Sequence, residues 1–438
     1  MDSTTNRRAI TKFSKHFLPE LRTEITSHLD LDDLKRYSLC CAAFHHDASH
    51  YMWTSIRLSP TNNEVSGERL SHFSSFLLDS PQRAASVRSL SITIYDLSSP
   101  SEDRWRVIPS EPEDPASFWA RVQRAFALLS GLQRLELDFE SPSPFDQSSL
   151  QEISSVLLSA PLRDTLSTLR YLGPPSRLVP FLEAWPNIVG IRTGSVDRFS
   201  PETPDVDTGS GALSRVTALY GDTNLLASVS RGAGAAGLTT FIHNQARLRE
   251  HNAIALGDVA RKCQGLKALS LSYNTEYMAD EPDSLLESIA HPTVEALEIF
   301  VRLDYQGDSG FDTHYLLMFL QNDVLLRSFP SLKFLHIVLY HADFACFITM
   351  DPNSVPWDVE AIEINTEALK SFLDAEPFSS ALSLERVWID CGSRHEHASS
   401  DSCIKHALRF RADKVEEKWM VDAQRCQYNE RLIMFPNQ

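Results

Sequence analysis

The sequence predicts an α/β protein with a small all-α unit at its N-terminus, followed by an irregular solenoid of short parallel strands that alternate with helices. A six-residue strand pattern, with apolar residues at positions one, four and six, returns along most of the 438-residue chain. Between its copies, apolar residues recur at spacings of three and four, which is typical of amphipathic helices. Residues 1–60 contain short, closely spaced helix-like segments.

The strand pattern has clear copies and weaker ones. From the weaker copies onward, most starts lie roughly 22–28 residues apart, within the about 20–29 residues of leucine-rich repeats, which the pattern resembles. One strand and one helix cannot bury both apolar faces alone, so stacked neighbours must build a continuous core. We therefore expect a leucine-rich-repeat-like solenoid over residues 61–400. Clear copies begin at Val87, Leu132, Leu266, Val294, Leu332, Val359 and Leu384, and weaker ones near Leu166, Ile188, Leu213 and Leu238.

The array departs from the regular repeat in two ways. Polar stretches rich in proline, serine and acidic residues predict insertions near residues 98–116, 141–149 and 200–211. The asparagine that follows the strand in this repeat family occurs here only as Asn274. Without its side chain the turn loses a bridge to neighbouring backbone, so we expect an irregular array. An ordinary α/β domain is the alternative.

The C-terminal segment, residues 401–438, predicts a helix that caps the array, followed by a tail. Apolar Leu408, Val415 and Trp419 alternate there with basic Lys405 and Arg409. Such a mixture is compatible with an amphipathic helix, and repeat arrays need a terminal cap with a polar outer face.

The N-terminal segment predicts three short helices. Pro19 suits a first helical turn, where its missing N–H would have no partner. Leu18, Leu21, Ile25 and Leu29 recur at spacings of three and four and form one apolar stripe. Chains below about 40 residues rarely hold a core without help. We therefore expect the remaining apolar surface to contact another protein or the rest of this one.

The order Phe17-Leu18-Pro19-Glu20-Leu21, Asp33-Leu34, Cys40-Cys41, Phe44 and Trp53-Thr54-Ser55-Ile56 resembles an F-box, as in fungal-type F-box domain-containing proteins. It covers about a tenth of the chain. The resemblance implies binding to the small Skp-type adaptor of cullin–RING ubiquitin ligases. The residues that it assigns to adaptor binding are Leu18, Pro19, Leu21, Ile25, Leu29, Leu34 and Trp53.

Together with the repeat-like region, the resemblance implies a substrate-recognition subunit of an SCF-type ligase, which performs no chemistry itself and needs no cofactor. Its second partner would be a protein substrate that the sequence does not identify. The alternative is a leucine-rich-repeat scaffold protein that acts independently of any ubiquitin ligase, with its N-terminal helices packed internally.

The repeat pattern also predicts a substrate-binding surface. In a leucine-rich-repeat strand the apolar residues point inward, and the intervening residues share one concave face. Aromatic residues with charged neighbours are typical of an interface hot spot with a polar rim. A one-residue slip in register would instead place them in the core. The predicted substrate-binding residues are Phe300, Phe334, His336, Arg386 and Trp388, and the same rule exposes Arg134, Glu136, Asp138, Glu298, Glu363, Asn365 and Asp390.

Composition excludes several partners. The chain has 41 Lys and Arg against 58 Asp and Glu, a net charge of −17, which opposes binding to nucleic acid and anionic membranes. Its seven cysteines include no C-x-x-C pair, as in reduced intracellular proteins. No apolar run is long enough to span a bilayer. We expect a cytoplasmic or nuclear protein.

Four motifs suggest chemistry, but their contexts favour loops. The Asp207-Thr208-Gly209 run matches aspartic proteases, yet it occurs once and two carboxylates are needed. The glycine-rich run 232–237 precedes a strand rather than a helix, unlike a dinucleotide site. The run 307–310 lacks a protease context, and His395 to His397 lack metal-ligand spacing. We predict no catalytic or metal-binding residue, and a hydrolase would require a second carboxylate beside Asp207.

Overall fold

The structure of the chain is a computed structural model. The residues that it describes are 19–27, 29, 31–58, 66–94, 115–139, 147–172, 178–193, 215–231, 236–243, 250–274, 286–303, 323–341, 366–367, 369–375, 378, 381, 383–393 and 407–426.

The described residues form a mixed α/β structure with mostly parallel strands, which confirms the predicted α/β class. The chain divides into two compact units, Met1–Gly190 and Ile191–Gln438. Among the described residues, no helix is both long and apolar enough to cross a membrane.

Among the described residues of the first unit, three helices come first, and alternating strands and helices follow. Three of its helices begin at proline, whose fixed φ and missing N–H suit a first helical turn. Its elements are α1 Pro19–Ser27, α2 Leu31–Ser38, α3 Ala42–Met52, β1 Ser55–Leu58, α4 Ser66–Asp79, α5 Pro81–Ser86, β2 Ser89–Ile94, α6 Pro115–Phe126, β3 Arg134–Phe139, α7 Gln147–Ser159, β4 Thr168–Leu172 and α8 Leu178–Ala184.

Strand β5, Gly190–Thr193, lies at the sequence boundary of the two units. The second unit continues the alternation and ends in three long strands. Helix α9 is capped by Asp222, whose Oδ1 accepts a hydrogen bond from the Leu225 backbone N–H at 2.8 Å. Its elements are β6 Ala218–Gly221, α9 Thr223–Arg231, β7 Thr240–His243, α10 Glu250–Ala260, β8 Ala268–Asn274, β9 Ala296–Leu303, α11 Asp323–Ser328, β10 Phe334–His341, β11 Arg386–Ser393, β12 Ala407–Val415 and β13 Lys418–Cys426.

Within each unit, paired strands are neighbours in the chain. In the first unit β1 to β4 pair in parallel. In the second unit β6 to β11 pair in parallel, whereas β12 and β13 add antiparallel strands after β11. Because a parallel connection needs a crossover, the segments between these strands carry the helices.

The strand register aligns the apolar positions of successive copies. In the second unit Leu269 pairs with Leu297, Leu297 with Leu335, and Leu335 with Val387. All four side chains are at most 1% exposed. The clear copies of the pattern that lie in the described residues each lead into a strand. The copy at Val359 lies outside those residues.

A recurring backbone contact lies at the start of nine parallel strands, β2 to β5 and β7 to β11. The N–H groups of two successive residues donate to one carbonyl of the preceding strand segment. Lys333 and Phe334, for example, donate to the Glu295 carbonyl at 2.8 and 3.0 Å. The accepting carbonyls are Thr54, Arg88, Gln133 and Ser167 in the first unit, and Thr217, Thr239, Lys267, Glu295 and Lys333 in the second.

The predicted C-terminal helix is wrong, because residues 407–426 form a β-hairpin. The apolar residues in fact alternate with a period of two. Phe410 and Ala412 are buried, whereas Arg409, Arg411 and Asp413 lie on the other face. The prediction of a helix was based on the widely spaced apolar residues Leu408, Val415 and Trp419. It overlooked the strict alternation of polar and apolar residues from Arg409 to Ala412, which is typical of a strand.

The hairpin turn contains two residues, Glu416 and Glu417, with φ of 49° and 66°. Positive φ at both positions is typical of a type I′ turn, which favours Asn-Gly. We expect the double substitution Glu416→Asn/Glu417→Gly to raise the free energy of unfolding by about 1 kcal/mol, because it relieves left-handed strain. Chemical denaturation followed by tryptophan fluorescence measures the change.

The matched control is Glu416→Gln/Glu417→Gln, which removes the same two charges but keeps both β-carbons. It should leave the strain, and most of the stability, unchanged. An equal gain in both variants would attribute the effect to charge rather than to backbone conformation.

Candidate protein-interaction surfaces

The helices α1 and α2 each pack against α3. Thr26, Leu34, Phe44 and Ala48 are buried, with at most 9% of each exposed. The Tyr37 ring stacks on Phe44 with centroids 4.3 Å apart. These contacts join all three helices.

Polar contacts also hold the first helix in place. Arg22 Nε donates to Asp47 Oδ2 at 2.7 Å, and both side chains are less than 20% exposed. This ion pair joins α1 to α3. Burial raises the pKa of Tyr37 in spite of a hydrogen bond with Thr26, which connects α2 to α1.

The segment that contains these helices carries large exposed apolar side chains. Leu21 is 51% exposed, Ile25 40% and Leu39 85%. Leu21 and Ile25 lie one turn apart on the same face of α1. Leu29, after the end of α1, is half-buried. Seven large apolar side chains are exposed in the described structure, and three of them lie on α1 or directly after α2. Clustered exposed apolar side chains are one mark of a protein-interaction site.

The remaining predicted adaptor-binding residues have other positions. Leu18 lies outside the described residues, and Pro19 begins α1. Leu34, on α2, is buried, with 6% of its surface exposed. Trp53 is half-buried and stacks on Phe76 of α4, with centroids 4.2 Å apart. Leu34 and Trp53 therefore serve internal packing, whereas Leu21, Ile25 and Leu29 are available to a partner.

A second group of residues lies on β8 to β12, on the face opposite the apolar core positions. The register places side chains of successive strands side by side: Ser270 pairs with Glu298, Glu298 with His336, and His336 with Trp388. The antiparallel strand β12 then places Arg411 beside Trp388 and Arg409 beside Asp390.

Four charged residues form a buried network that we call the ion cluster: Glu298, His336, Asp390 and Arg409. His336 Nδ1 lies 2.9 Å from Glu298 Oε2, and His336 Nε2 lies 3.0 Å from Asp390 Oδ2. Arg409 donates two hydrogen bonds to Asp390, from Nε at 2.6 Å and from Nη2 at 2.7 Å. The Ser270 hydroxyl donates to Glu298 Oε1 at 2.7 Å.

The surroundings of His336 and Asp390 favour their charged forms. Burial lowers the pKa of His336, but its hydrogen bonds to Asp390 and Glu298 outweigh burial, so the pKa is raised. Each ring nitrogen lies within hydrogen-bonding distance of a carboxyl oxygen. Burial alone would raise the pKa of Asp390, but its hydrogen bonds with Arg409 and His336 outweigh burial, so the pKa is lowered.

Two aromatic rings pack against the ion cluster. The Trp388 ring centroid lies 4.9 Å from the Arg409 guanidinium carbon and 5.4 Å from that of Arg411. Phe334 meets the Trp388 ring edge to face at 5.2 Å. Arginine over a tryptophan face is a favourable cation–π arrangement. Phe334 and Trp388 are half-buried, and each keeps part of its ring at the surface.

The predicted substrate-binding residues therefore divide into two groups. Arg386 is exposed and lies 3.6 Å from Asp413, and together with Phe334 and Trp388 it is available to a ligand. His336, at 0% exposure, and Phe300, at 9%, are buried, so the expectation that they are exposed is wrong. Their contact with a substrate stays a prediction. Side chains on adjacent strands contact one another, and such contacts help to bury His336.

The same correction applies to other residues that were expected to be exposed. Glu298 and Asp390 are 0% exposed and Asp138 is 9% exposed. Glu136 is half-buried and pairs with Arg170 at 2.8 Å, whereas Arg134 is exposed. Glu363 and Asn365 lie outside the described residues. The sequence analysis did not predict that Arg409 joins this group, because it expected a helix at that position. The alternation of Arg409 and Arg411 with Phe410 and Ala412 was the signal for a strand.

The four catalytic-looking motifs fall mostly outside the described residues. These include Asp207, the run 307–310, His395 to His397 and most of the glycine-rich run. Within the part of the chain that the structure describes, no group of three or more His, Cys, Asp or Glu side chains could hold a metal ion.

No protein-family model matches the sequence. A search of curated proteins also finds no significant match.

The ion cluster predicts a pH-dependent stability. The raised pKa of His336 means that its contribution is fully present below about pH 6.5 and is lost as pH rises through the folded pKa. The lowered pKa of Asp390 means that its contribution is present above about pH 3.9 and is lost as pH falls through the folded pKa. We expect the cluster to contribute most between these two limits.

The substitution His336→Leu should lower the free energy of unfolding by about 3–5 kcal/mol near pH 6, because two buried carboxylates lose their shared cation. His45→Leu, on the exposed side of α3, is the control and should change it by less than about 0.5 kcal/mol. Denaturant unfolding between pH 4 and pH 9 should show the difference between wild type and His336→Leu shrinking above neutrality. A difference independent of pH would argue against a charged His336.

Proposed function

We propose that this chain is the substrate-recognition subunit of an SCF-type ubiquitin ligase. Its F-box-like N-terminal region, residues 1–60, would bind a Skp-type adaptor, and a leucine-rich-repeat-like solenoid over residues 61–400 would bind a target protein. The observation that carries the proposal is the exposure of three apolar side chains, Leu21 and Ile25 on α1 and Leu39 directly after α2.

Exposure of these apolar side chains to water is unfavourable in free energy. Burying one such aliphatic side chain is worth about 1.5–3 kcal/mol relative to leaving it in water. Leu21 and Ile25 share one helix face, and Leu39 follows α2 at 85% exposure. The helices themselves are held by the Arg22–Asp47 ion pair and the Tyr37–Phe44 stack. A rigid helical support with an apolar outer face suits docking into a groove of a partner.

The strand region supports the second half of the proposal. Repeated backbone contacts at the strand starts and aligned apolar rows are what a stacked array requires. Phe334, Arg386 and Trp388 combine two aromatic rings with a cation, which is the composition of an interface hot spot. Their support is rigid, because Trp388 packs against Arg409 of the ion cluster.

The proposed activity needs no chemistry from this chain. Holding a target and the adaptor at once raises the effective concentration of the target near ubiquitin that is carried elsewhere in the complex. This role places the chain in the cytoplasm or the nucleus. Catalytic groups and cofactors are not part of the proposal.

A leucine-rich-repeat scaffold protein that acts without a ligase is the second candidate. Two residues that the F-box resemblance assigns to adaptor binding favour it: Leu34 is buried, and Trp53 stacks on Phe76 of the same chain. A scaffold of this kind would keep its exposed N-terminal residues for some other contact. Adaptor binding separates the two candidates.

The test is co-purification of the full chain with a Skp-type adaptor. We expect the intact chain to retain the adaptor, and Leu21→Ala/Ile25→Ala to bind it roughly 10- to 1,000-fold more weakly, since each truncation of an interface anchor costs about 1–2 kcal/mol. The control is Ile254→Ala, at a residue with 49% exposure on α10, nearly the same as Leu21.

If the intact chain purifies free of the adaptor when both are present, the ligase proposal fails and the scaffold remains. Equal binding by the double variant and the intact chain would show that α1 is not the docking surface. Circular dichroism of each variant confirms that the fold is retained.

A further inference from the structure

Strand β13, Lys418–Cys426, is the last strand in the order of the described sheet. Within the described residues it pairs on one side only, with β12. An edge strand presents a row of backbone N–H and C=O groups that can pair with another strand. Nine residues make it long enough to do so.

The hairpin geometry identifies which backbone groups face outward. Val415 and Lys418 are register partners on either side of a two-residue turn, so they form a hydrogen-bonded pair. Because the orientation alternates along a strand, the backbone groups of Trp419 and Val421 point away from β12. Among the described residues, no strand pairs with this side of β13.

The side chains on this edge are arranged symmetrically about one residue. Met420 is 62% exposed, and Lys418 and Asp422 are exposed two positions before and after it, on the same face. Trp419, on the opposite face, is 1% exposed. Charged residues on an edge usually prevent pairing. Here their opposite signs make the strand complementary to itself.

We propose that β13 pairs antiparallel with β13 of a second copy of this chain, with Met420 opposite Met420. In this register Lys418 of each copy lies opposite Asp422 of the other, so two ion pairs form. Trp419 and Val421 exchange about four backbone hydrogen bonds with Val421 and Trp419 of the second copy. The Met420 pair falls at the closer, non-hydrogen-bonded position, where side chains approach best.

The charges also select this register. A pairing centred on Asp422 would place two aspartates opposite each other, which is destabilising. The resulting dimer is isologous, because the same patch is used on both copies. Its contact is small, so the dimer is weak and is populated at micromolar concentrations. An extended segment of a different protein could add to the same edge, and the chain alone would then be a monomer.

The test is sedimentation equilibrium of the full chain between about 1 and 200 µM, a range that brackets a micromolar dissociation constant. We expect Lys418→Asp and Asp422→Lys each to weaken dimerisation at least about tenfold, because each places like charges opposite each other twice. The double variant Lys418→Asp/Asp422→Lys exchanges the charges and should restore dimerisation to within about threefold of wild type.

The control is Lys262→Asp, the same substitution at an exposed position beyond the end of α10, which should leave dimerisation unchanged. A wild-type chain that is monomeric throughout this range overturns the proposal, as does a dimer that survives Lys418→Asp. A double variant that folds, by circular dichroism, but stays monomeric overturns the register.

Discussion

The structure depends on one backbone contact, in which two successive N–H groups donate to a single carbonyl of the preceding strand segment. Because this contact recurs at the start of β2 to β5 in the first group of strands and of β7 to β11 in the second, the strands of each group begin in the same register. Equivalent residues then lie side by side, and a row such as Leu269, Leu297 and Leu335 becomes continuous. The apolar core and the polar face both follow from that alignment. A slip of one residue would exchange the two faces.

The ion cluster shows what this alignment can build. No single strand supplies more than one member; Glu298, His336 and Asp390 come from β9, β10 and β11, and Arg409 comes from the antiparallel strand β12. Removing one member would leave a buried charge without its partner, which is costly, so the cluster constrains four strands together. Exposed Arg386 and half-buried Phe334 and Trp388 lie beside this cluster. Their positions therefore depend on the hairpin that closes the sheet.

The sequence predicted the parts of the fold that depend on short-range periodicity. The alternation of strands and helices was readable at Leu266, Leu332 and Leu384, because their apolar spacing repeats. It did not predict the burial of His336, since that depends on Glu298 and Asp390, which are 38 and 54 residues away. The C-terminal hairpin was missed because its alternation, Arg409 against Phe410, was read with a helical period. Pairing across strands is a long-range property that local patterns do not contain.

The proposed adaptor-binding surface consists of Leu21 and Ile25 on α1 and Leu39 directly after α2, all of which are exposed. The most direct test of this surface is hydrogen exchange of the full chain, with and without the Skp-type adaptor. We expect the adaptor to slow exchange only in peptides from residues 19–39 and to leave exchange in β8 to β11 unchanged. Unchanged exchange in residues 19–39 under conditions where the adaptor is saturating, or protection only in the strands, would contradict it.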